Sequence, residues 1–312
     1  MITKSLGSIA EKIDQKIIDF FFKYEKENYY FLPFFRISIG LFCLIHFLSV
    51  IPDFRMLYLG GLTPMAVSGL LKVSFMPTIL NFMNLFQNNI GLSESTAINL
   101  FISAYIISCL LLIFGFLTRI AAFALIILQI MINQGAPLFI YGVDAFKSIS
   151  IFYCFIFPVG RSYSLDNKLF KLSPANPTPY RRLLQIHLTI VYFESGFDKI
   201  IGPNWWNGES IWKSVHLPLF GNDLSANFNF MAKYPIIPLA IGLGTIIVEL
   251  FYPLFMWNKK TRKLWLSLVI MMHISILISL NLFFFATLMI LLNISCFFVM
   301  EKDMHKIEPQ NL

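Results

Sequence analysis

The sequence predicts an all-α fold: a polytopic membrane helical bundle of about eight transmembrane helices, with the N and C termini both cytoplasmic. Three observations predict it. Of the 312 residues, 57% are hydrophobic and 13% charged, with 34 Phe and a mean hydropathy of +0.71, far from the balance of a soluble domain. The apolar residues gather in runs long enough to cross a hydrocarbon core of roughly 30 Å, separated by short polar turns. The basic residues fall unevenly between alternate turns. The amino tail, Arg119, the 160–182 linker, the 259–263 turn, Lys302 and Lys306 share one side, against Arg55, Lys72, Lys213 and Lys233 on the other. The richer side is cytoplasmic by the positive-inside rule, so the net charge of +7 reads as orientation in a bilayer and not as nucleic-acid binding.

Taken in order, residues 1–28 space Ile9, Ile13, Ile17, Phe20 and Tyr24 along one helical face with lysines between them, a basic amphipathic helix suited to lie on an anionic leaflet. They contain no uninterrupted apolar core or small-residue cleavage site and so do not read as a removable signal peptide. Residues 29–300 form the transmembrane domain and 301–312 a cytoplasmic tail. The first span, 29–51, is closed by Pro52. It holds Arg36, expected to snorkel or to pair with a later acid, and His46, expected as a hydrogen-bonded core residue. Glycines, prolines and a cluster of Asn and Gln break up 53–95, which reads as an outer loop with short interfacial or re-entrant helices.

Spans 97–116 and 120–132 follow, joined by Leu117-Thr118-Arg119. The next span, 145–159, is preceded by Tyr141-Gly142-Val143-Asp144. Asn133, Tyr141, Asp144 and Lys147 place polar groups at the mouth of two spans; as a plain capped loop the same residues would use Asp144 as the N-cap. After the linker come span 183–199, a Trp-rich loop, span 235–257 with Glu249 four residues before Pro253, span 264–280 with His273, and span 282–300. The four cysteines each lie inside an apolar run without paired spacing, so they read as packing residues, with neither a disulfide framework nor a metal site.

The richest chemistry lies at 187–212. Tyr192, Ser195 and Lys199 share one helical face, and Glu194 and Asp198 an adjacent one. Ionisable groups in hydrocarbon cost at least several kcal/mol unless paired or facing water, which makes these residues functional candidates by default. Gly202 and Pro203 end the helix, and Trp205 and Trp206 fit the membrane–water boundary. The plainer reading makes Lys199 a helix-end anchor that snorkels to outer water beside Asp198.

The run Tyr192-Phe-Glu-Ser-Gly196-Phe-Asp-Lys199-Ile, followed by Trp205-Trp206-Asn-Gly208-Glu-Ser, resembles the vitamin K-dependent γ-carboxylase and its bacterial relatives, the HTTM (horizontally transferred transmembrane) family. Arg36 early in the first span, Tyr141-Gly-Val-Asp144, Glu249-Leu-Phe-Tyr-Pro253, and His273 followed by Asn281 and a Phe run match in order. The resemblance implies that Lys199 is the base that deprotonates a hydroquinone; such a base must be a neutral amine. In the carboxylase, oxygenation of the hydroquinone yields an alkoxide that abstracts a glutamate γ-proton before CO₂ adds. His273 would donate a hydrogen bond to the ligand or oxyanion, Glu249 would orient His273 or Lys199, and Tyr192, Ser195, Trp206 and Asn133 would line the cofactor site. Arg36, Glu194, Asp198 and Asp144 complete the intramembrane polar set.

The chain departs at Asp198, where the carboxylase has a second lysine, and it carries no counterpart of the lumenal domain that binds propeptides. Its length looks more like the single-domain HTTM proteins, including the SdpB-like proteins that accompany production of a secreted peptide toxin. The functions that follow are carboxylase-like or quinone-linked modification of a peptide or small substrate at the extracytoplasmic side of a bacterial inner membrane, or a non-catalytic accessory role in toxin maturation or export. Transport ranks last, since no inverted repeat is visible. The partners expected are membrane lipid and either a secreted peptide or co-encoded maturation proteins, and no nucleic acid.

Overall fold

A computed structural model describes residues 2–25, 28–58, 76–135, 140–217 and 227–298. The described residues contain helices and no strand. Phe31–Asp53, Glu94–Phe114, Thr118–Gly135 and Arg262–Leu280 are long and apolar enough to cross a membrane, while Ile236–Leu250 and Phe283–Phe297 are apolar but shorter. The chain divides into two compact units, residues 32–175 and residues 1–31 with 176–312.

The amino-terminal helix α1 (Ile2–Phe22) leaves Ile13, Ile17 and Phe20 exposed along one face, the apolar row an interfacial helix presents to lipid, with Ile18 and Phe22 exposed on the opposite side. Helix α2 (Phe31–Tyr58) corrects the expected stop at Pro52, because it continues through that residue. The proline removes one backbone bond, but unwinding would orphan several more where no water replaces them. Within 53–95, α3 (Ile79–Ile90) starts at a capping box in which Thr78 Oγ1 accepts from Asn81 N at 3.3 Å and Asn81 Oδ1 accepts from Thr78 N at 3.0 Å. The remainder of that expected outer loop, 59–75, lies outside the described residues.

Helices α4 (Glu94–Phe114) and α5 (Thr118–Gly135) meet at Gly115, whose left-handed φ of 71° ends α4. A Cβ there would overlap the Arg36 guanidinium. Arg36 neither snorkels nor pairs with an acid. It is fully buried, and donates to the carbonyls of Leu112 (3.1 Å), Ile113 (3.0 Å) and Tyr163 (2.6 Å). A cation thus sits at the negative carbonyl end of α4, where it supplements the cap that Gly115 N makes to Leu112 O.

Helix α6 (Gly142–Ile156) begins before Asp144, which therefore sits in its first turn and is not the N-cap. Asp144 accepts from Tyr141 N at 3.3 Å and pairs with Lys147 at 3.0 Å, and the Lys147 ammonium lies 2.9 Å from His46 Nδ1. The linker contributes α7 (Leu165–Phe170), whose Asp166 caps α5 from a distance in sequence. Its Oδ1 accepts from Leu117 N at 2.7 Å, and Oδ2 from Thr118 N at 2.9 Å and Thr118 Oγ1 at 2.7 Å. Asp166→Ala is expected to lower stability by about 1–2 kcal/mol, as loss of a helix cap does, read as a lower thermal midpoint of the purified protein; Asp166→Asn keeps an acceptor and loses less.

The second unit is built around α8 (Thr178–Ile201), followed by α9 (Glu209–His216), α10 (Phe230–Lys233), α11 (Ile236–Leu250), α12 (Tyr252–Trp257), α13 (Arg262–Leu280) and α14 (Phe283–Phe297). The single span expected over 235–257 is two helices broken at Phe251, since Pro253 has no N–H to offer the Glu249 carbonyl. Trp265 Nε1 takes the nearby Val248 carbonyl at 3.0 Å. Asn281, left-handed at φ 54°, turns α13 directly into α14. Arg181 repeats the device of Arg36: buried at the foot of α8, it donates to Cys296 O (2.8 Å), Phe298 O (3.1 Å) and Asn28 Oδ1. Arg182 pairs with Glu25 at 2.6 Å, and Asn176 Nδ2 donates to Phe22 O at 2.6 Å, so α1 is tied to the start of α8.

Candidate functional site

The site grows from the crossing of α8 and α11. Gly196 makes the crossing close: a Cβ at this position would lie 2.6 Å from Leu250 N and 3.1 Å from the Glu249 carbonyl carbon. Small residues serve this purpose in membrane helices, where backbones must touch to gain dispersion energy. The approach carries the Glu249 side chain to Lys199, three residues beyond Gly196. Lys199 Nζ sits 2.7 Å from Glu249 Oε2 and donates to Ser195 Oγ at 2.6 Å. The pair is largely enclosed, with side-chain exposures of 17% for Lys199 and 8% for Glu249. Trp205 covers the ammonium, its ring centroid 5.2 Å away. The loop holding it is pinned to α11 by Gly208, at φ 81°, where a Cβ would lie 2.6 Å from Leu239 N.

Two helical turns deeper on the same face of α8, roughly 10 Å along the axis, Tyr192 enters a second cluster. Tyr252 Oη donates to Asn293 Oδ1 at 2.7 Å, and Asn293 Nδ2 donates to Tyr192 Oη at 2.7 Å. The Tyr192 hydroxyl lies 2.6 Å from His273 Nε2, so with its oxygen accepting from Asn293 its own proton is free to be donated to that nitrogen. With Nε2 as acceptor, a neutral His273 carries its hydrogen on Nδ1. That Nδ1 is buried and has no hydrogen-bond partner among the described residues. The tyrosine rings stack at 4.2 Å, which fixes the chain at its Tyr192 end. A buried polar chain thus ends on an unsatisfied imidazole nitrogen, a state costly enough to single His273 out.

No family model matches the chain, and comparisons with curated proteins and with solved structures find no match. The assignment of chemistry to these residues therefore rests on their geometry.

Of the residues singled out in the sequence, the structure brings Lys199, Ser195 and Glu249 together, and joins Tyr192 to His273. Glu194 and Asp198 are exposed on the other side of α8, and the carboxylate beside the Lys199 ammonium is Glu249. Trp206 is 55% exposed and donates from Nε1 to Ile200 O at 2.7 Å, closing the end of α8. Arg36, Asp144 and Asn133 belong to the other unit. There Asn133 accepts from Gln129 Nε2 at 2.7 Å, and Gln129 Oε1 accepts from Tyr105 Oη at 2.9 Å. Sequence reasoning passed over Asn293 and Tyr252, the two residues that give the hydrogen-bond chain its direction. The signal for Asn293 was a lone amide in the otherwise apolar run of α14, which in a membrane helix marks a hydrogen bond to a neighbour.

Proposed function

We propose that the chain is a multi-pass HTTM-type protein of a bacterial inner membrane, with about eight spans and both termini cytoplasmic, that binds a quinone or a similar lipid-soluble ligand. On this reading it modifies a peptide or small substrate at the extracytoplasmic side. The observation that carries the reading is the hydrogen-bonded chain from Tyr252 to His273 ending on a buried Nδ1 without a partner among the described residues. The pair that Lys199, on the Tyr192 face of α8, makes with Glu249 of α11 supports it.

A hydroquinone, when bound, supplies reducing electrons and a weakly acidic hydroxyl. His273 Nδ1–H offers a hydrogen bond to a ligand oxygen and stabilises negative charge that develops there. Lys199 accepts a proton only as a neutral amine, which it becomes by passing its own proton to the adjoining Glu249 carboxylate. Ser195 holds the amine in place during that exchange, and Trp205 limits the access of water.

The test is extraction of co-purifying quinones from protein in mild detergent, followed by titration with a hydroquinone. Wild type should bind. His273→Phe should bind roughly tenfold or more weakly, as loss of a hydrogen bond to a charged oxygen implies. Lys199→Ala should bind more weakly too. Absence of quinone, with no binding by wild type, overturns the reading.

A second reading makes the chain a non-catalytic accessory protein in peptide maturation or export. It is favoured by one observation: Glu249 and Ser195 already engage the Lys199 ammonium, as in a purely structural helix tie.

A further inference from the structure

We infer that the recess between the α4–α5 turn and residues 157–172 binds the phosphate of an anionic phospholipid. The recess lies wholly within the 32–175 unit and encloses about 340 Å³, at the lower end of the volumes of small-molecule sites. Two features together specify its occupant.

The first is unspent positive charge. Arg119 and Arg161 line the recess with exposed side chains, and neither has an acidic partner among the described residues. Lys168 and Lys171 follow on the same segment, also exposed and unpaired. One carboxylate, Asp166, stands in the wall, and it accepts from Leu117 N, Thr118 N and Thr118 Oγ1. The backbone at Arg161 is also held in place. Gly160 packs so tightly that a Cβ would overlap Thr118 Oγ1 and stand 3.1 Å from Asp166 Oδ2, so the backbone entering Arg161 is fixed against the α5 cap. Two guanidinium groups lining one recess suit a phosphate, which they grip through paired N–H donors.

The second feature is the apolar rim. Ile120 is 64% exposed and Phe170 60%, with Leu117 and Leu172 also lining the recess. A free anion has no use for such a border, whereas a phospholipid presents a phosphate joined to acyl chains. Basic pockets between membrane helices hold lipid head groups in this way. The inference needs the chain to sit in a bilayer but is independent of the chemistry assigned to Lys199 and His273.

The test uses the full chain purified in detergent, with native mass spectrometry against phosphatidylglycerol, phosphatidylcholine and glycerophosphate. Wild type should retain phosphatidylglycerol several-fold better than phosphatidylcholine. The double substitution Arg119→Gln/Arg161→Gln should weaken phosphatidylglycerol retention by roughly tenfold or more, since each basic group near an anionic lipid contributes about fivefold in affinity and two are lost. Arg119→Lys/Arg161→Lys should keep most of it. Because both arginines are exposed, thermal unfolding of all variants should match wild type. Equal retention of the two lipids, or a Gln variant that binds like wild type, overturns the inference. Glycerophosphate binding as tightly as the lipid would also overturn it, in favour of a small-anion site.

Discussion

Gly196→Ala lowers the stability of the protein by about 1–3 kcal/mol, the usual cost of overfilling a packed contact. The added methyl has nowhere to go, because the atoms it meets are backbone: Leu250 N at 2.6 Å and Leu250 Cα at 3.0 Å. Relief requires α8 and α11 to move apart, and that movement draws Glu249 away from Lys199. Gly244, on the same helix α11, is the built-in comparison, since a Cβ there meets nothing within 4 Å. Gly244→Ala should be neutral or stabilising by up to about 1 kcal/mol through helix propensity alone. Thermal unfolding of both variants in one detergent checks the pair. A Gly196→Ala protein that melts with wild type would mean that the two helices do not cross as described.

Glycine 196 also shows what the sequence could and could not reveal. The apolar runs, the breaks between them and the candidacy of Lys199, Glu249 and His273 follow from composition and spacing, because burying charge in an apolar run is costly enough to be conspicuous. Partner choice is a different matter. Asp198 adjoins Lys199 in sequence, yet successive residues on a helix point about 100° apart, so the neighbour in the chain is exposed while Glu249, fifty residues on, makes the contact. Arg36 was expected to seek water or an acid, and its actual partners are three carbonyls, which carry no mark in a sequence. Asp166 looked like linker and turned out to cap a helix 48 residues away. Pro52 and Pro253 behave oppositely for a related reason. A proline breaks a helix only where the freed carbonyl or the chain direction finds another use, and at Phe251 the neighbouring Val248 carbonyl is taken by Trp265.

The remaining question is whether the Lys199–Glu249 pair is a chemical device or a strut, and a double-substitution cycle separates the two. Glu249→Leu leaves the Lys199 ammonium with Ser195 and the Trp205 ring, and Lys199→Met leaves a buried carboxylate without its cation. Removing one member of a buried pair costs about 3–5 kcal/mol. The loss should be larger for Lys199→Met, since it strands the more enclosed partner, at 8% exposure against 17%. Lys199→Met/Glu249→Leu strands nothing and replaces both charges by apolar bulk, so thermal unfolding should recover most of the loss. Function is then read on a protein known to be folded. If the double variant regains both stability and its cellular role, the pair holds helices together and the accessory reading stands. If it regains stability while hydroquinone binding and the cellular role stay lost, the proton that Lys199 and Glu249 share is the one the chemistry uses.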